Sequence, residues 1–140
     1  LGPGSLFTSV VAPILVPEVR AALLEATAPV VYVCNIMTEA GETDGMDAWA
    51  HARALRDHMD RWPDLVLAND APVDPDRRAA YRREEAEEVA VRPDLFAKAG
   101  VAIRTAQLIG RGPFAQHDPT RLAEELVGLA VAARSGEALR

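Results

Sequence analysis

Apolar positions along the chain alternate between a helical and a strand-like spacing. After Pro17, which suits a first helical turn, Val19, Ala22, Leu23 and Ala26 fall at i, i+3, i+4 and i+7 and predict an amphipathic helix over 17–27, stopped by Pro29. Val30-Val31-Tyr32-Val33-Cys34 is then a continuous β-branched run, the pattern of a strand covered on both faces. A polar loop runs from Asn35 to Gly45. From Met46 the helical period returns: Ala48, Ala52, Leu55, Met59 and Trp62 lie within about 40° of one line at ~100° per residue, and Pro63 ends the helix. Leu65-Val66-Leu67-Ala68 predicts a second buried strand, with Asn69-Asp70 opening the next loop. Asp74 and Pro75 form an N-cap and first helical position. An Arg-rich turn and a Glu-rich turn over 75–88 lead to a short predicted strand at 89–91 and a helical turn at 94–98. Val101 to Ile109 reads as a strand. Asp118-Pro119 repeats the cap-then-proline signal before a final helix whose Leu122, Leu126, Leu129 and Ala133 are expected to face the core.

Strands alternating with helices predict a doubly wound, mostly parallel α/β sheet, in which ligands bind beyond the carboxyl ends of the strands. Leu1 is not a start methionine, and Gly2-Pro3-Gly4-Ser5 has the character of a turn fed by a strand ending at about Leu1. The expectation is a chain that forms the C-terminal part of one α/β domain over 1–140, with an N-terminal half upstream.

Composition narrows the partners. With 49% apolar and 26% charged residues the chain has globular character. A net charge of -6 and no basic run free of acidic neighbours argue against a broad nucleic-acid surface, so no nucleic-acid partner is expected. Cys34 is the single cysteine, which excludes an internal disulfide and fits a thiol packed as a small hydrophobe in a reducing cytoplasm. No apolar stretch approaches the roughly 20 residues of a membrane span, so a cytoplasmic protein without one is expected.

Two segments carry the chemistry expected of a ligand site. In Gly2-Pro3-Gly4-Ser5-Leu6-Phe7-Thr8-Ser9 the glycines let backbone approach an anion, while Ser5, Thr8 and exposed amides supply donors at a helix start. The same residues can equally form a plain turn. Asn35 to Gly45 leaves a buried strand and gathers amide, hydroxyl and carboxylate groups where an α/β site belongs, although Thr43 or Asp44 can also serve as the cap of the next helix. His51 and His58 are seven residues apart, ~10 Å along a helix, which is not the spacing of a zinc pair and favours packing roles. Tyr81 sits among Arg77, Arg78, Arg82 and Arg83, a cluster able to clamp phosphates or, balanced by Glu84, Glu85, Glu87 and Glu88, to form a solvated helix face. His117 stands before the Asp118 cap, where it could meet an anion. No serine–histidine–acid arrangement, phosphate-binding lysine loop or carboxylate pair is legible, and no residue is assigned a catalytic role.

Taken together, the Gly2–Ser9 segment, Val31-Tyr32-Val33-Cys34-Asn35-Ile36-Met37-Thr38 and Gly41-Glu42-Thr43-Asp44-Gly45 resemble the YvcK-like proteins of the CofD superfamily. The likeness continues through His51, through Tyr81 in Tyr-x-x-Glu-Glu-Ala, and to His117-Asp118, and it covers only the C-terminal part of that family. The resemblance implies a Rossmann-like domain whose glycine-rich nucleotide loop belongs to the N-terminal half. It further implies a regulator that binds uridine diphosphate sugars, notably UDP-N-acetylglucosamine or UDP-glucose, and supports gluconeogenic growth and cell-wall or cell-shape homeostasis.

By position, the resemblance implies ligand contacts from Gly2, Gly4, Ser5, Thr8, Asn35, Thr38, Glu42, Thr43, Asp44, His51, Tyr81, Gln116 and His117. Three positions depart from the family pattern. Gln116 stands where an arginine is expected, so its charge-assisted contact would be lost or supplied by Arg111; Met46 replaces an aromatic, and Ala50 an acidic residue. The alternative that the resemblance implies within the superfamily is a transferase of a phospholactate-type group from a guanosine diphosphate-linked donor to a deazaflavin, and magnesium is a candidate cofactor on that reading alone. A further alternative is a chain serving mainly as a homo-oligomer or partner interface.

Overall fold

The computed structural model describes residues 1–137 and 139. At its centre Val31–Val33 (β1), Leu65–Asn69 (β2) and Ile103–Ala106 (β3) form a parallel sheet in the order β1-β2-β3. Val31 is level with Leu65 across the first pairing, and Val66 with Ile103 across the second. Side chains alternate across a strand, so the run of apolar residues supplies both faces. Tyr32, Cys34, Val66 and Ala68 face one layer, in a core with Leu6, Ala52, Leu55, Met59 and Phe96. Leu65 and Leu67 face the other, against Leu108 and Leu129.

The first layer contains a π-helical segment, Leu6–Val11, running into a short helix, Ala12–Ile14 (α1). It also holds Ala48–Met59 (α3) and Pro93–Ala99 (α5), whose Phe96 is buried. The final helix, Pro119–Arg134 (α6), covers the second face. Helices on both sides of a parallel sheet make this a Rossmann-like α/β fold.

Local signals placed most elements. Asp74 and Asp118 cap Pro75–Arg83 (α4) and α6, each accepting two backbone N–H bonds with proline as the first helical residue. Elsewhere packing changed the outcome. The helix expected over 17–27 is Pro17–Glu25 (α2) and buries no residue, with Val19 38% and Leu24 45% exposed, because only Leu23 and Ala26 reach the core. In α6 only Leu129 is buried, since the edge beyond β1 leaves an apolar groove beside Leu126, Ala130 and Ala133.

The strand expected over 101–109 is confined to Ile103–Ala106, and 89–91 does not join the sheet. Instead Glu88 bridges Met37 in antiparallel fashion, and Val89 N–H donates to Ile36 O at 2.9 Å. Neither Thr43 nor Asp44 caps α3. Asp47 does, accepting from Ala50 N–H at 2.8 Å. Thr43 Oγ1 instead accepts from Glu39 N–H, and the Asp44 carboxylate from Gly41 N–H, which folds the loop onto itself. Trp62 lies past the end of α3 and stacks on Trp49, with ring centroids 5.0 Å apart.

Candidate functional site

The loop leaving β1 is held from the side by the chain that follows α4. Thr38 N–H donates to Glu87 O at 2.7 Å and Glu87 N–H donates to Thr38 Oγ1 at 2.9 Å, so the Thr38 hydroxyl is buried and paired. Asn69, at the carboxyl end of β2, anchors the loop after β3: its Oδ1 accepts from Leu108 N–H at 3.0 Å and Ile109 N–H at 3.1 Å. That loop doubles back on itself, with Gly110 N–H on Gln116 O and Asp118 N–H on Leu108 O. Tyr81 then ties it to α4 by accepting the Ala115 N–H at 3.2 Å. Sheet ends, α4 and the 107–118 loop thereby enclose one cleft.

This cleft has a volume of about 420 Å³ and is lined by Pro3, Gly4, Asn35 to Glu39, Tyr81 and Ala115 to His117. It lies at the carboxyl end of β1, the position at which open α/β sheets bind ligands. Its floor is apolar: Ile36, Met37, Val73 and Ala115 pack together with Tyr81 and Ile109 against them. Polar groups converge at the rim. Gly4, Asn35, Thr38, Tyr81, Gln116 and His117, six of the positions singled out in the sequence, are brought together here.

The other positions lie outside this lining. Ser5 Oγ donates to Glu39 Oε2, and Glu42 Oε1 accepts from Phe7 N–H at 2.7 Å and Thr8 N–H at 3.3 Å. The donors at this helix start are therefore occupied by the protein's own carboxylates. Gly2 lies against the groove at the β1 edge, and its glycine identity has a local cause: φ is +71°, and a Cβ would meet Val33 O at 3.0 Å. Thr43 and Asp44 brace the loop from within. Arg111 is exposed and is not part of the lining.

His51 is fully buried in α3, where its Nδ1–H donates to Asp47 O at 2.9 Å and its Nε2 has no partner. Burial holds its pKa below the ordinary value, against the opposing pull of Asp47, Glu39 and Glu42. His117 is likewise lowered by burial, and its Nε2 is buried without a partner. Both rings are neutral at pH 7. His58 Nδ1–H donates to Ala54 O at 2.7 Å, and its ring meets Phe7 edge-on. Burial drives the Cys34 thiol up to about 12, which removes it as a nucleophile.

Two of the four arginines around Tyr81 turn elsewhere, while Arg82 and Arg83 are exposed. Arg77 Nη1 donates to Gly110 O at 2.8 Å, while Arg78 bonds Glu88 at 2.9 Å and Val73 O. Glu39 is the site residue that sequence reasoning missed. It stood inside the loop already singled out, but only the fold shows that its carboxylate lines the cleft. Among the described residues no group of three or more His, Cys, Asp or Glu side chains is placed to hold a metal ion, and no single helix is long and apolar enough to cross a membrane.

Comparison with known proteins gives this geometry a family. A "Putative gluconeogenesis factor" of Deinococcus radiodurans is 41% identical over 132 residues, covering 92% of this chain and 27% of that protein. The "Gluconeogenesis factor" of Bacillus subtilis is 32% identical, covering 92% of this chain and 41% of its own length. A crystal structure of a UPF0052-family protein from Bacillus halodurans superposes with a TM-score of 0.86 at 35% identity, over 90% of this chain and 41% of that one. The chain thus spans well under half the length of these relatives. Residues 1–109 match the family described as 2-phospho-L-lactate transferase CofD, and with the Rossmann-like sheet and the relatives above this shows that the chain belongs to the CofD family.

Proposed function

We propose that the chain contributes one wall of a nucleotide-sugar site, for UDP-N-acetylglucosamine or UDP-glucose, in a cytoplasmic regulator. That regulator would support gluconeogenic growth and cell-wall or cell-shape homeostasis. The observation that carries the reading is the strand-end cleft: an apolar floor with Tyr81 beside it and a rim of Asn35, Glu39, Gln116 and His117 combines a surface for a ring with groups that bond hydroxyls and amides. The relatives named gluconeogenesis factor support the gluconeogenic part of this reading.

The family description favours a second reading, a transferase of a phospholactate-type group to a deazaflavin. A magnesium ion on that reading would rest chiefly on ligand phosphates, since the described residues gather no three-ligand site. The relatives named gluconeogenesis factor favour the regulator.

Thermal-shift titration of the intact protein with UDP-N-acetylglucosamine, UDP-glucose and guanosine diphosphate separates the two. A ligand at 100 times its dissociation constant adds about 2.7 kcal/mol to stability. Stabilisation by the uridine sugars alone supports the regulator. A response to the guanosine ligand alone overturns it in favour of the transferase.

A further inference from the structure

The charge of the cleft says which end of a ligand it can hold. Glu39 is the one formally charged side chain in the described lining, and it is an anion. Arg77 is committed to Gly110 O and Arg78 to Glu88 and Val73 O, and neither Arg82 nor Arg83 belongs to the lining. Amides at the nearby helix start, which could otherwise receive a phosphate, already hold the Glu42 carboxylate. Against this lining a phosphate would meet a carboxylate and no cation, whereas a ring bearing hydroxyls would meet an acceptor suited to it. Glu39 receives one bond from Ser5 Oγ and a long one of 3.4 Å from Asn35 Nδ2. A carboxylate has about four acceptor positions, so two remain for a ligand. The Tyr81 hydroxyl, having accepted the Ala115 amide, keeps its proton to donate.

We propose that this cleft grips the uncharged, diol-bearing ring of its ligand, with Glu39 accepting from neighbouring ring hydroxyls, and that the ligand's phosphates lie outside this lining. The inference rests on the nucleotide-sugar reading and adds which part of that ligand these residues recognise. Carboxylate acceptance from a ribose diol is an established solution in dinucleotide-binding folds, and a hexose offers the same chemistry.

The test is calorimetric titration of the intact protein and its Glu39→Gln variant with UDP-N-acetylglucosamine, UDP-glucose and UDP. Glutamine keeps one oxygen for Ser5, and Ser5→Ala removes that internal contact while retaining the carboxylate. With Glu39 on the diol, E39Q weakens the UDP sugars about tenfold or more, and S5A binds them at least as well as the unaltered protein. A loss shared by UDP identifies the ribose; a loss confined to the sugar nucleotides identifies the hexose. Unchanged or tighter binding of the diphosphates by E39Q overturns the inference and leaves the nucleotide-sugar reading intact. Failure of the unaltered protein to bind any of the three overturns both.

Discussion

The hydroxyl of Tyr81 accepts the backbone N–H of Ala115 at 3.2 Å across 34 residues of chain, joining the last turn of α4 to the loop that carries Gln116 and His117. One side chain therefore forms part of the cleft wall and fixes the position of the opposite rim.

Tyr81→Phe leaves the Ala115 amide without its acceptor while preserving the ring's packing against the Ile36, Met37, Val73 and Ala115 cluster. The expected cost is about 1 kcal/mol in chemical denaturation, with faster hydrogen exchange at Ala115. Tyr81→Ala should in addition abolish stabilisation by UDP sugars. Unchanged exchange at Ala115 in Y81F would show that other contacts hold the loop.

Asn69→Ala orphans the Leu108 and Ile109 amides together and is expected to destabilise by about 2–4 kcal/mol. Asn69→Asp keeps an acceptor for both and loses only the donor to Ala71 O, so it should cost less. Urea midpoints of the two variants compare them directly, and equal losses would contradict the double-acceptor role.

Glu42→Ala uncovers the Phe7 and Thr8 amides, and by analogy with a lost helix cap the expected cost is about 0.5–2 kcal/mol. Because the uncovered amides become available to anions, thermal stability of E42A should rise more steeply with added sulfate than that of the unaltered protein. Parallel sulfate dependence would separate Glu42 from this role.

The buried histidines predict acid sensitivity. Burial lowers the pKa values of His51 and His117 from 6.5, so above that value neither affects the pH dependence of folding. As pH falls through 6.5 towards the lower folded values, the unfolded chain takes up protons that the folded one refuses, and stability declines. Chemical denaturation between pH 7.5 and 5 should show this slope, and a His51→Gln/His117→Gln variant should show less of it. An undiminished slope would assign it to other groups.

Much of the fold was legible because its signals are local. Periodicity marked α3 and the parallel strands, and Asp-Pro pairs marked the starts of α4 and α6; these act between residues a turn or two apart. The loop after β1 was singled out as a candidate site by its place in that alternation. Thr43 and Asp44 had the composition of helix caps, yet Asp47 closer to the helix took the role, because two glycines let the intervening loop turn on itself.

The sequence by itself determined the α/β class, the starts of α2, α4 and α6 and the strand-end position of the cleft, all of which follow from backbone geometry and neighbouring side chains. Only the tertiary structure decided that Glu42 covers amides 34 and 35 residues upstream and that Arg77 and Arg78 turn away from the cleft. It also decided that His51 is sealed in the core while Glu39 lines the cleft. Those outcomes depend on which donors and acceptors meet across long stretches of chain, and spacing along a sequence does not encode that distance.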